Sequence, residues 1–277
     1  LAAKGDKEVY TKDVDFMLQE LPKKAGHFFK TKGIDWKEVT TEFHAEAKKM
    51  KSDEEHVKLC NRLVARLKDG HAGLIDLTVK YPDESKGRRF TGPRVHLVTI
   101  GGKVYVRTAF GDAGAKGVKP GMEVVEIDDE PAMKFLEQAR DKLCDERGYG
   151  TDHAAMYYAC HTGLADWEGE EIEFKLLDGK KRSTVKVVRN GGPNFVPIGP
   201  VFPPKDLKTI GRQSYGKTEG GMAYIHLRDV AGDLPSQLDV MLKEIGDAPG
   251  LILDCRANGG GGCDHDAVFG RFVPKGG

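Results

Sequence analysis

Apolar positions recur at helical spacing through the first 70 residues and at strand spacing after them. In "DWKEVTTEFHAEAKKM", Asp35 stands as an N-cap with Glu38 three residues on, and Trp36, Val39, Phe43 and Ala47 mark one helix face. In "SDEEHVKLCNRLVARLKDG", Ser52 and Glu55 form a capping box. Val57, Cys60, Leu63, Val64 and Leu67 make the buried stripe there, and Gly70 is the natural stop. "GLIDLTVKY" then alternates Ile75, Leu77, Val79 and Tyr81, which predicts a strand.

From about Arg88 to Arg189 the pattern changes to short strands and tight turns. "RVHLVTIGGKVYVRTAF" predicts a hairpin around Gly101-Gly102, and "EIEFKLLDGKKRSTVKVVR" a second about Asp178-Gly179. Between them lie a strand from Glu123 to Ile127, a helix opened by Pro131, and a further helix after Thr151. Asn190 to Pro204 is rich in Gly and Pro and reads as a linker. Beyond it come a strand (Met222 to Leu227), a helix carrying Leu238, Met241, Leu242 and Ile245, and a strand from Leu251 to Cys255 that reads as buried. Strand, helix, strand predicts a parallel pair.

Composition narrows the classes. The chain has 277 residues, 43 basic and 43 acidic, for a net charge of zero. The length predicts about two domains, and the balanced charge gives no reason to expect nucleic acid as a partner. No run approaches the ~18 apolar residues of a transmembrane helix. Five cysteines, Cys60, Cys144, Cys160, Cys255 and Cys263, are scattered without a C-x-x-C pair, so neither a zinc knuckle nor a disulfide scaffold is expected. No H-E-x-x-H or His/Asp cluster suggests a metal. The chain starts at Leu1 without a signal segment and ends in "VPKGG", which reads as a piece of a longer protein.

The chemistry concentrates in "GLILDCRANGGGGCDHDAVFGRF", where an apolar strand meets four glycines, Gly259 to Gly262. Backbone N–H groups at the carboxyl end of a strand can hold an anion. Phosphate is one possibility, but neither phosphate-loop motif is present. The oxyanion of acyl transfer is another. A flexible turn that lets a helix pack closely is the third. Asp254 and Arg256 flank Cys255 and read as an ion pair or a loop cap, and Asn258 suits a bend.

Three stretches carry a resemblance: "VARLKDGHAGL", "AGAKGVKPGMEVVEIDDEPA" and "GMAYIHLRDV" with "GLILDCRANGGGG". Together they resemble the C-terminal processing (tail-specific) proteases, the serine-peptidase family that also includes the tricorn core. "GVKPGMEVVEID" looks like the family's PDZ turn, with Asp128-Asp129 in place of Asp-Gly and Met122 where Asp is common. "LILDCRANGGGG" looks like the family's L-I-L-D-L-R-x-N-x-G-G, with Cys255 replacing Leu. The resemblance implies an α/β and α+β multidomain chain. Its parts are a helical region with a first core strand (1–86), a PDZ-like β-rich domain (87–190), a linker (191–204), and the beginning of a crotonase/ClpP-like α/β protease core (205–277).

The same resemblance assigns roles. Gly261, with Gly260 as neighbour, supplies oxyanion-hole amides. His71 in "KDGHAGL" is the general base in the tricorn-like branch; elsewhere such a histidine fixes its loop. The nucleophilic serine lies beyond this chain, because none of Ser52, Ser85, Ser183, Ser214 and Ser236 falls after the glycines. No cofactor is implied. In the PDZ-like part "TGPRVHL" stands at the carboxylate loop, so Gly92, Arg94, Val95 and Leu97 would receive the C-terminus of an unstructured protein or peptide. An extracytoplasmic location, periplasmic or secreted, follows from the family alone. The alternative is a non-catalytic peptide- or lipid-binding protein on the same scaffold.

Overall fold

The computed structural model describes residues 7–74, 90–192, 194, 203–256 and 258–273. The chain is a mixed helix-and-sheet protein that divides into two compact units, Leu1–Phe195 and Val196–Gly277. The strand expected over Ile75 to Tyr81 lies outside the described residues, as does most of the Gly- and Pro-rich stretch before residue 203.

The first unit opens with helices α1 (Lys7–Ala25), α2 (Phe29–Lys32), α3 (Trp36–Ala47) and α4 (Asp53–Ala65). The Asp35 side chain accepts from the N–H groups of Lys37 and Glu38, and Ser52 accepts from Glu55 N–H, so both caps satisfy amides that no helix bond can reach. Val14, Val39, Phe43, Leu59 and Leu63 meet in one buried cluster.

Six strands follow: β1 (Val95–Ile100), β2 (Lys103–Ala109), β3 (Glu123–Ile127), β4 (Glu130–Pro131), β5 (Glu171–Asp178) and β6 (Lys181–Val188). They form one antiparallel sheet in the order β1-β2-β3-β5-β6, with β4 paired to β3. Gly101 and Gly102 both adopt positive φ, 57° and 76°, as the two-residue hairpin joining β1 to β2 requires. Three helices accompany the sheet: α5 (Gly111–Ala115), α6 (Ala132–Glu146) and α7 (Asp152–Ala159). Pro131 sits in β4, just ahead of α6 rather than inside its first turn. Thr151 caps α7 by accepting from Ala154 N–H. Leu97, Val106, Ile127, Leu136, Ile172 and Phe174 form the core between sheet and helices.

Among the described residues the helical part is fastened to the sheet part where α4 meets α6. Arg62 of α4 and Arg66 just past its end both bond Asp145 of α6, at 2.7 and 2.8 Å. Asn61 donates to the Glu146 carbonyl at 2.6 Å. Gly148 lies so close to the Asp69 backbone that an added Cβ would come within 2.6 Å of the Asp69 oxygen.

The second unit contains β7 (Lys208–Ile210), β8 (Gln213–Lys217), β9 (Ala223–His226), α8 (Leu234–Ile245), β10 (Leu251–Asp254) and α9 (His265–Phe269). Its sheet runs β10-β9-β8-β7; β9 and β10 are parallel, as the strand-helix-strand pattern predicts, and the other pairs are antiparallel. Ile225, Leu234, Leu238 and Met241 pack into its core. The expectation of a buried last strand is corrected. Among the described strands β10 is an edge, and Ile252 and Leu253, on its two opposite faces, are 42% and 41% exposed.

Candidate functional site

The glycine loop continues β10 and runs beside the segment that follows β9. Gly259 N–H donates to the Arg228 carbonyl at 2.9 Å, and Val230 N–H donates to the Gly260 carbonyl at 2.8 Å. Val230 and Gly261 form an isolated parallel bridge. Asn258 holds the turn from inside: its amide donates to the Leu227 carbonyl at 2.9 Å, and its oxygen accepts from Gly260 N–H at 2.8 Å.

Two of the glycines are required by this path. Gly260 and Gly261 adopt φ of 79° and 133°. A Cβ on Gly261 would lie 2.2 Å from the Val230 oxygen. The assignment of Gly260 as an oxyanion donor is therefore corrected, because its N–H is committed to Asn258. Gly261 N–H has no partner among the described residues.

Beneath the loop, Asp254 is buried and Arg256 bonds it through two guanidinium nitrogens, at 2.9 and 2.5 Å. Tyr224 donates to the same carboxylate at 2.6 Å. The Arg256 guanidinium, helped by Tyr224, holds the Asp254 carboxyl well below the usual carboxylate range, against the opposing effect of burial. Strand register places Ser214, His226 and Asp254 directly opposite one another across β8, β9 and β10. Their bonds go elsewhere: Ser214 accepts from Arg228 at 3.0 Å, and the His226 ring approaches the Arg256 carbonyl at 3.3 Å. Ser214 is thus a buried strand residue tied to Arg228. Only the β8–β9–β10 register reveals this row, which sequence spacing alone does not signal.

His71 lies in the first unit, with its side chain fully exposed and Nδ1 3.6 Å from Asp69 Oδ1. Its own N–H donates to that carboxylate at 2.9 Å and is the main reason the Asp69 carboxyl sits below its ordinary value. No serine among the described residues lines the adjoining cavity of about 290 Å³.

The expected peptide groove along β1 is closed from within, which corrects the roles given to its residues. Val95 and Leu97 are fully buried in the sheet core. Leu97 N–H donates to the Cys160 carbonyl at 2.9 Å. Asn194 donates to the carbonyls of Val95 and His161 at 3.2 and 2.6 Å. Gly92 N–H is bonded to the Gly192 carbonyl, and a Cβ on Gly92 would strike Asn194 at 2.2 Å. Arg94 adopts φ of 59° and reaches the Asn190 carbonyl at 3.3 Å rather than an open carboxylate loop. The Leu97 amide and the Val95 carbonyl, which an added peptide strand would need there, are therefore occupied.

Compared with protein-family models and with curated proteins, the chain matches none. No helix among the described residues is long and apolar enough to cross a membrane.

Proposed function

We propose that this chain carries the oxyanion-binding part of a serine-type endopeptidase that acts by acyl transfer. The observation that carries the reading is the Gly261 amide at the carboxyl end of β10, which has no partner among the described residues while the amides of Gly259 and Gly260 just before it are engaged. A fixed, unsatisfied donor at a strand end suits a transient negative charge, and such a donor contributes about 3–4 kcal/mol to lowering the barrier. The resemblance of "LILDCRANGGGG" to the tail-specific proteases supports the same role, with a PDZ-like first unit and a ClpP-like second one. The serine that the reaction requires is not among the five in this sequence.

A second reading rests on a specific observation. The demands at Gly260 and Gly261 account for those two glycines structurally, and the Leu97 amide and Val95 carbonyl at the β1 edge are already bonded within the chain. A non-catalytic binding protein on this scaffold would show both features.

The full-length protein separates the two. A fluorophosphonate probe is expected to label it, and a peptide with a free apolar C-terminus to be cleaved. Asn258→Ala, which frees the loop, should lower kcat about tenfold or more with KM within about twofold. Absence of both labelling and cleavage assigns the chain to the binding class.

A further inference from the structure

A cavity of about 450 Å³ lies in the first unit where the end of α4 meets α6, the α6–α7 connection and the start of α7. Its size is that of a small-molecule site, and nothing proposed above uses it. The floor is apolar: Ala65 and Ala155 are fully buried, and the half-buried Cys144 thiol and the Tyr149 ring complete it. Burial pushes the Tyr149 phenol up to about 12, so it remains a hydrogen-bond donor at neutral pH.

The rim is cationic in a way the internal ion pairs do not cancel. Arg66 is held by Asp145 and Glu42, and Arg140 by Asp141. Lys68 donates to the Lys32 carbonyl, at 3.0 Å, and Arg147 lies over the Tyr158 ring, 5.9 Å from its centre. Neither has a carboxylate partner among the described residues. Each stands one residue from the Asp69–Gly148 contact, which brings their backbones close together, and both line the cavity. Asp152 is the one lining carboxylate without an ion-pair partner, and it sits in the first turn of α7, where the helix dipole compensates it.

We propose that this cavity binds an organic carboxylate with an apolar body, its charge held by Lys68 and Arg147 and its body laid over Cys144 and Tyr149. The source of such a group is either a peptide C-terminus or a free small acid. The site stands independently of any catalytic role for the glycine loop.

Cys144 reports on occupancy. Iodoacetamide labelling of the full chain, resolved cysteine by cysteine by mass spectrometry, has an internal control in the exposed Cys255 of the second unit. The probes are acetylated Leu-Ala-Ala with a free carboxylate, the same peptide as its C-terminal amide, and 3-phenylpropionate. An acid that binds should slow Cys144 labelling about tenfold at ten times its dissociation constant, leaving Cys255 unchanged. Protection by the peptide acid alone identifies a chain terminus as the ligand; protection by phenylpropionate identifies a small acid. The combined change Lys68→Gln and Arg147→Gln, at two exposed positions, should abolish protection. The proposal is overturned if neither acid protects, if the amide protects equally, or if protection survives the double change.

Discussion

His161 is fully buried, with Nδ1 bonded to the Tyr157 carbonyl and Nε2 3.4 Å from an Arg107 nitrogen. A carbonyl only accepts, so Nδ1 carries the proton and Nε2 offers its lone pair toward arginine. Protonating Nε2 would set two cations against each other out of water. Burial first, with the charges of His96 and Arg107 adding to it, pushes His161 down to about 3; burial and Arg107 push its neighbour His96 down to about 4. Both rings are neutral when folded and take up protons near pH 6.5 when unfolded. Their effect on stability is absent above about pH 6.5 and grows as pH falls toward 4. The melting temperature of the first unit should therefore decline over that window, and His161→Gln should flatten the decline in a pH series of thermal melts. Asp254 behaves as an acid of lowered pKa: its contribution is present above about pH 3.8 and is lost only below it.

At the scale of elements, the join between α4 and α6 depends on one missing side chain. Gly148→Ala would place a methyl group 2.6 to 3.1 Å from three backbone atoms of Asp69, none of which can swing aside. A loss of about 1–3 kcal/mol is expected, read from urea unfolding of the variant beside the parent. Local chemistry of this kind divides what the sequence discloses from what it withholds. Asp35, Ser52 and Thr151 cap where their spacing says they should, and Gly101-Gly102 turns the hairpin it announces. Each of those signals is complete within a few residues. The plug at β1 is not. Asn194 comes from the stretch that reads as a linker and crosses about a hundred positions to bond Val95, so Val95 and Leu97 look available in the sequence and are not. The place of the glycine loop, at the end of a strand paired in parallel, was legible. The commitment of Gly260 to Asn258, and the hold of Arg228 on Ser214, depend on side-chain directions that no spacing rule supplies.

For the whole molecule, two units with separate cores predict two unfolding events. Leu238 is fully buried in the second core, and Leu238→Ala should cost that unit about 2–5 kcal/mol. In calorimetry it is expected to lower one transition and leave the other in place, whereas Gly148→Ala moves the transition that Leu238→Ala does not. A single transition shifted by both changes would mean that the units unfold together. The outer strand β10 has a further bearing on how the molecule behaves in bulk. Its main-chain groups on the side away from β9, unpaired among the described strands, and its greasy flanks offer a template onto which a second molecule can zip. Crowded samples of the purified chain are therefore expected to self-associate by such mutual stitching, and one lysine on that rim, as in Ile252→Lys, should lower the association read by light scattering.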